Sequence, residues 1–207
     1  MIPTYEALKG ICKSIYWKPT FIWVVDEVRV MKRIRTQTKG VKPLKFSGGN
    51  DLSIYTYLAD VAYQVRAHFE WNEHRPELSQ DRIEGKHFSI ARRMVERGGR
   101  QDIFLGTREC QGYVEPCRFG EGDSELDGAG ELAFGSMFHG FDYPDESGRN
   151  ALERRLWNPL MRDGVITFPR AEDCPVTEFI REMQPKQFDQ SNILDVQQES
   201  ALLEAQL

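Results

Sequence analysis

Long apolar runs are missing from this 207-residue chain, so no segment is suited to crossing a membrane as a helix. Its first residues, Met1-Ile2-Pro3-Thr4-Tyr5-Glu6, lack the basic start and apolar middle of a secretory leader, and a cytoplasmic location is expected. Cysteine is sparse: Cys12, Cys110, Cys117 and Cys174 are scattered, with no C-x-x-C pair. That pattern speaks against a zinc site and against a disulfide framework, and for reduced thiols. The phosphate-binding G-x-x-x-x-G-K-[ST] loop, a strand-linked G-x-G-x-x-G, H-E-x-x-H and G-x-S-x-G are also missing, which removes the common nucleotide, zinc-protease and serine-hydrolase readings. Asp123, Asp127 and Glu131 sit in a glycine-rich stretch where solvated carboxylates are the ordinary outcome, so no metal or cofactor is expected.

What is present is an uneven charge. The chain carries a net charge of -5, with a hydrophobic fraction of 40%. Residues 1–119 nevertheless hold 20 Lys and Arg against 14 Asp and Glu, whereas residues 120–207 hold 7 against 18. From Lys9 to Lys45 there are ten basic residues and two acids, Asp26 and Glu27. A basic zone on an acidic protein points to a polyanion on one face, although charge runs are more often simply solvated.

Periodicity gives a coarse order of elements. Pro3 suits a first helical turn, and Leu8, Ile11, Cys12 and Ile15 share a face, predicting a helix over 3–16. A strand is expected from Phe21 towards Met31, then a loop or irregular hairpin over 32–50. Tyr55 to Trp71 reads as a second long strand, 72–85 as a polar loop, and 86–97 as a basic helix stopped by Gly98-Gly99. Ile103-Phe104-Leu105 and Cys110 to Phe119 read as strands, the latter interrupted by Pro116. The expected fold class is α+β: a ferredoxin-like β-α-β-β-α-β unit over 1–119 whose first strand is absent, a common RNA platform. A small β-rich domain over 120–183 follows, with strands expected at 132–141 and 165–168 and a short helix at 152–161. A Gln/Glu-rich tail spans 184–207.

Lys86-His87 stands out at the start of the basic helix. Lysine is a fixed cation that suits phosphate, and histidine moves protons near neutral pH. A helix N-terminus also attracts anions. Of the four histidines His68, His74, His87 and His139, only His87 has such neighbours. Tyr16 ends the first helix beside Trp17 and Lys18, either as an aromatic packed on a sheet or as a hydroxyl near phosphate or ribose.

The blocks Tyr5 to Ile11, Ser14 to Thr20, Lys86-His87, Asp102 to Cys117, His139 to Glu146 and Phe168 to Pro175 together resemble the Cas-five family of subtype I-C CRISPR systems, over nearly the whole chain up to the tail. The resemblance implies a RAMP-type protein that cleaves the repeat hairpin of precursor CRISPR RNA without metal. It implies that the protein then keeps the 5′ handle inside the surveillance (Cascade) complex, with backbone and large subunits, and possible double-stranded DNA, as further partners. The family's tyrosine, lysine and histidine fall on Tyr16, Lys86 and His87. RNA contacts are expected at Lys13, Lys18, Lys32, Arg33, Arg35, Lys39, Lys42 and Lys45, with Arg92, Arg93 and Arg108 beside them. Two other readings stay open: a non-catalytic subunit capping the 5′ handle, and a general binder of double-stranded nucleic acid. Family members carry a further strand ahead of Pro3, which agrees with the absent first strand.

Overall fold

The computed structural model describes residues 2–44, 48–49 and 51–186. Lys45 and residues 187–207, most of the expected tail, lie outside them. Helix α1 (Tyr5–Ile15) opens on Thr4, whose Oγ1 accepts the Ala7 N–H at 3.2 Å, a standard N-cap. It ends at Tyr16, which turns to extended backbone. Strand β1 (Phe21–Val30) follows. The basic segment after it forms, with the start of the expected second strand, an exposed hairpin of β2 (Arg35–Val41) and β3 (Ser53–Ala59). Asp60 adopts a positive φ of 49° and breaks the run that reads as one strand over 55–71, so β4 (Tyr63–Trp71) is separate. A short 3₁₀ turn (Pro76–Asp81) interrupts the polar loop. Helix α2 (Glu84–Glu96) then leads to the two-residue strands β5 (Ile103–Phe104) and β6 (Gln111–Gly112). The strand expected over 110–119 is confined to that second pair, and Pro116 falls beyond it.

The acidic half of the chain supplies β7 (Glu131–Ala133), β8 (Met137–Asp142), the one-turn α3 (Pro144–Ser147), β9 (Ala151–Trp157), β10 (Leu160–Arg162), β11 (Val165–Thr167) and β12 (Val176–Glu182). The expected helix over 152–161 is instead β9 and the start of β10. Good helix formers such as Leu152, Glu153 and Arg154 are overridden because β9 pairs on both sides, with β8 and β12.

Two antiparallel sheets organise these strands. One has the order β4-β1-β11-β10-β7 and the other β12-β9-β8. Strands from both sides of residue 119 thus share the larger sheet, and Glu27 faces Thr167 across β1 and β11. Arg29, almost fully buried on β1, donates to both Asp127 carboxylate oxygens and to the carbonyls of Glu121 and Gly122, clamping the glycine-rich turn to the sheet. The main core joins Tyr5 and Leu8 of α1 to Val25, Val28, Met161, Ile166 and Phe168. A second core gathers Cys12, Tyr16, Phe21, Trp23 and Ala91, where α1, β1 and α2 meet.

No described strand pairs with the outer edge of β4. A groove of about 2020 Å³ runs along that edge, floored by Ile11 and Ile15 of α1 and walled by Phe88 of α2 and Leu105. Among the described residues no helix is long and apolar enough to cross a membrane.

The smaller sheet docks on α1 through a buried polar knot. His139, at a bulge in β8, is fully buried, stacks on Tyr5 at 4.1 Å and donates through Nε2 to the Pro169 carbonyl at 3.1 Å. Burial, followed by the nearby Arg155 guanidinium, pushes its pKa down to about 4. The folded value lies below the ordinary 6.5, so the unfolded chain takes up the proton first as the pH falls. Neutral His139 therefore contributes stability above about pH 6.5 that is lost as the pH drops through about 4. Melting curves should show a midpoint several degrees lower at pH 4.5 than at pH 7, at about 2–4 °C per kcal/mol. His139→Gln should flatten the portion between pH 6.5 and 4.5, and an unaltered pH slope in that variant would refute the assignment.

Candidate active site

The end of α1, the 3₁₀ turn and the first turn of α2 converge on His87. The side chain comes from the first turn of α2, which is why it points back towards the strap that precedes the helix. It is fully buried, ringed by Phe21 at 5.4 Å, Trp71 at 5.7 Å and Phe69 at 6.4 Å between ring centres. Its two ring nitrogens have different partners. Nε2 lies 2.6 Å from the main-chain oxygen of Asp81, and Nδ1 lies 2.9 Å from the Tyr16 hydroxyl. A carbonyl only accepts, so in neutral His87 the proton sits on Nε2 and Nδ1 accepts the Tyr16 O–H.

Tyr16 reaches this point because α1 stops there. Its N–H still bonds Cys12 at 3.1 Å, its carbonyl accepts the Trp23 indole N–H at 2.7 Å, and its ring packs on Phe21. Only 2% of the residue is exposed. Burial, then the Asp81 carboxylate, raises its pKa, with Lys86 and Arg100 opposing. The hydroxyl is therefore held protonated at neutral pH.

Lys86 differs from both: it is exposed, and its ammonium is bound to the Asp81 carboxylate. The same carboxylate accepts the hydroxyl of buried Thr20 at 2.8 Å and passes 3.5 Å from His87 Nε2. The Lys86 ammonium, followed by the Thr20 hydroxyl, holds the Asp81 carboxyl below the usual range. Asp81 thus touches Lys86 and His87 directly and Tyr16 through His87. Sequence reasoning missed it because it lies in a polar stretch that reads as loop. The one available signal was an acidic residue five positions ahead of Lys86.

The expected RNA-contact residues divide. Lys13 is paired with Glu146 at 3.0 Å, Lys32 with Asp60 at 2.5 Å, Arg33 with Glu125 at 3.8 Å and Arg92 with Glu96 at 3.2 Å. Lys18 is exposed next to Tyr16. Arg35, Lys39 and Lys42 are exposed along or just after β2, away from the α1 terminus in sequence, and Arg93 and Arg108 are exposed on α2 and on the β5–β6 turn. Lys45 lies outside the described residues. Among the carboxylates considered for a metal, Asp127 holds Arg29 and Glu131 holds Arg162 at 2.7 Å. No group of three or more potential ligands gathers among the described residues.

A family model described as "CRISPR-associated protein (Cas_Cas5)", of the Cas5d type, matches residues 1–169. A CRISPR pre-crRNA endoribonuclease Cas5d from Thermus thermophilus is 27% identical over 161 residues, covering 73% of this chain and 66% of that protein. A crystal structure of a CRISPR-associated protein superposes with a TM-score of 0.75 at 38% identity, covering 86% of this chain and 84% of the other. A functionally uncharacterized protein from Streptococcus mutans gives 0.74 at 39% identity, with 86% and 85% covered. The buried tyrosine–histidine pair, its lysine neighbour and the mixed α+β architecture thus sit in a chain that belongs to the Cas5d family of CRISPR-associated proteins.

Proposed function

We propose that this chain is a metal-independent endoribonuclease that cuts the repeat hairpin of precursor CRISPR RNA and stays on the 5′ handle as a subunit of a type I-C surveillance complex. The observation that carries the reading is the hydrogen bond between Tyr16 and His87, 71 residues apart, with Lys86 alongside. The printed activity of the Thermus relative supports the same substrate class.

The arrangement suits attack by a ribose 2′-hydroxyl on the adjacent phosphate. Lys86, the exposed cation, meets the phosphate and stabilises the charge that builds on its oxygens. Tyr16 is held protonated and already donates to His87 Nδ1, so it is better fitted to relay a proton than to act as a free phenolate. As the 2′-hydroxyl proton passes to the Tyr16 oxygen, the Tyr16 proton moves to Nδ1. The imidazolium so formed keeps its Nε2–H on the Asp81 carbonyl. Bond formation between the 2′-oxygen and phosphorus, and cleavage of the bond from phosphorus to the 5′-oxygen, give a 2′,3′-cyclic phosphate and a 5′-hydroxyl end; the leaving oxygen takes its proton from solvent water, and the His87 imidazolium returns one to solvent to close the cycle. Positioned proton transfer of this kind contributes about 10²–10⁴-fold.

A non-catalytic capping role remains the second reading, favoured by the near-complete burial of Tyr16 and His87. Incubation with the repeat RNA in EDTA separates the two. Specific cutting is expected, lost by about 10²-fold or more in His87→Ala and abolished by a single deoxyribose at the cut nucleotide with binding spared. Tight binding without cutting would establish the capping role instead.

RNA binding should be steeply salt-dependent. Replacing Lys39 and Lys42 together by Ala should lower the magnitude of the slope of log K against log salt by about 1–2. A slope unchanged in the double variant would remove the β2 hairpin from the interface.

A further inference from the structure

We propose that Asp81 is the positioning residue of this site: it holds Lys86 as an internal counter-ion until an RNA phosphate takes its place, and it orients His87. The inference rests on the proposed cleavage activity and extends it to the way the site is kept closed without RNA. Three contacts carry it. The Asp81 carboxylate binds the Lys86 ammonium, accepts the Thr20 hydroxyl at 2.8 Å and approaches His87 Nε2 at 3.5 Å. Its own carbonyl takes the Nε2–H at 2.6 Å. One residue therefore fixes the cation, the tautomer of the imidazole and, through it, the direction of the Tyr16 hydroxyl.

The physical consequence is competition. A carboxylate and a phosphate are alternative partners for one ammonium, and a partly exposed pair of this kind is cheap to exchange. Of the three candidate catalytic side chains only Lys86 is exposed, so an incoming phosphate meets the Lys86–Asp81 pair first. When Lys86 turns to the phosphate, Asp81 stays on Thr20, which is itself anchored: Thr20 accepts the Asn72 N–H at 2.9 Å, and the Asn72 side chain donates to the Asp145 carbonyl at 2.9 Å. The released carboxylate lies 3.5 Å from His87 Nε2, a positive partner once the imidazole accepts a proton. The latch thus strengthens support for the imidazolium at the moment it forms.

Among the described residues, the groups recorded against His87 come from four elements. Tyr16 comes from the end of α1, Asp81 from the 3₁₀ turn, Lys86 is its neighbour on α2, and the sheet presents apolar Phe21, Phe69 and Trp71. Arg100 acts on Tyr16 from beyond α2. Asp81 is the only carboxylate in that set.

The test uses Asp81→Asn in the full chain, with three measurements on the same repeat RNA. Binding of a non-cleavable RNA deoxy-substituted at the cut nucleotide should tighten about five-fold at low salt, because Lys86 loses its internal partner. The single-turnover rate at saturating RNA should fall about ten-fold. The acid limb of the pH–rate profile should move to lower pH, since removing the carboxylate 3.5 Å from Nε2 disfavours the imidazolium. Asp81→Glu, which keeps the charge, should restore the limb towards its original position. Should Asp81→Asn melt early, Thr20→Val carries the test: without that hydroxyl the carboxylate rests on Lys86 alone, and binding of the same RNA should weaken a few-fold at low salt, the reverse of Asp81→Asn. Parent-like binding and an unmoved limb would overturn the proposal. So would joint loss of binding and cutting at an unchanged melting temperature, which would make Asp81 an RNA contact. If the parent protein itself fails to cut, the cleavage reading falls, while the binding arm still decides whether Asp81 restrains Lys86.

Discussion

Everything at the candidate site depends on one buried imidazole with both nitrogens committed. His87 lies against three aromatic rings with no exposure, so each of its polar atoms must find a protein partner or carry the cost of desolvation. The Asp81 carbonyl and the Tyr16 hydroxyl are those partners. This ties together the end of α1, the turn before α2 and α2 itself, elements that are far apart in sequence. Movement of any of them by an ångström would orphan a nitrogen. The pair is therefore a structural staple as well as a proposed proton path. The two roles are compatible, because a proton relay needs the same fixed geometry that a staple supplies.

The rest of the fold keeps that geometry from drifting. The second core sets Tyr16 and Phe21 against Ala91 of α2, and Trp23 holds the Tyr16 carbonyl. At the other end of α1, Tyr5 stacks on His139, while Lys9 and Lys13 share Glu146, fixing the helix to β8 and α3. Helix α1 is thus held at both ends by different parts of the chain. The open edge of β4 lines one groove together with Ile11 and Ile15 of the same helix.

Much of this was legible in the sequence. The α1 and α2 helices, β1 and the fold class follow from periodicity, because each buries one face or a continuous apolar run. Lys86 and His87 announced themselves by being adjacent at a helix start. Other features were hidden for physical reasons. Residues 151–157 contain good helix formers, and only pairing on both flanks makes them a strand. Asp60 breaks β3 from β4 by a positive φ that its neighbours do not advertise. Asp81 looked like a loop carboxylate, since its role needs Thr20 and α2 folded around it. Of the basic zone, the sequence showed the charges but not their partners, and Lys13 and Lys32 turn out to be engaged with Glu146 and Asp60.

The central claim is that His87 is held as the Nε2–H tautomer, with Nδ1 open to the Tyr16 hydroxyl, and that RNA acts on this pair. Long-range proton–nitrogen NMR of histidine-labelled protein reads the tautomer directly. For the neutral imidazole of His87 a protonated Nε2 and an unprotonated Nδ1 are expected, with the Nδ1 resonance moving when a non-cleavable repeat RNA is added. A protonated Nδ1 in the free protein, or a His87 signal indifferent to bound RNA, would contradict it.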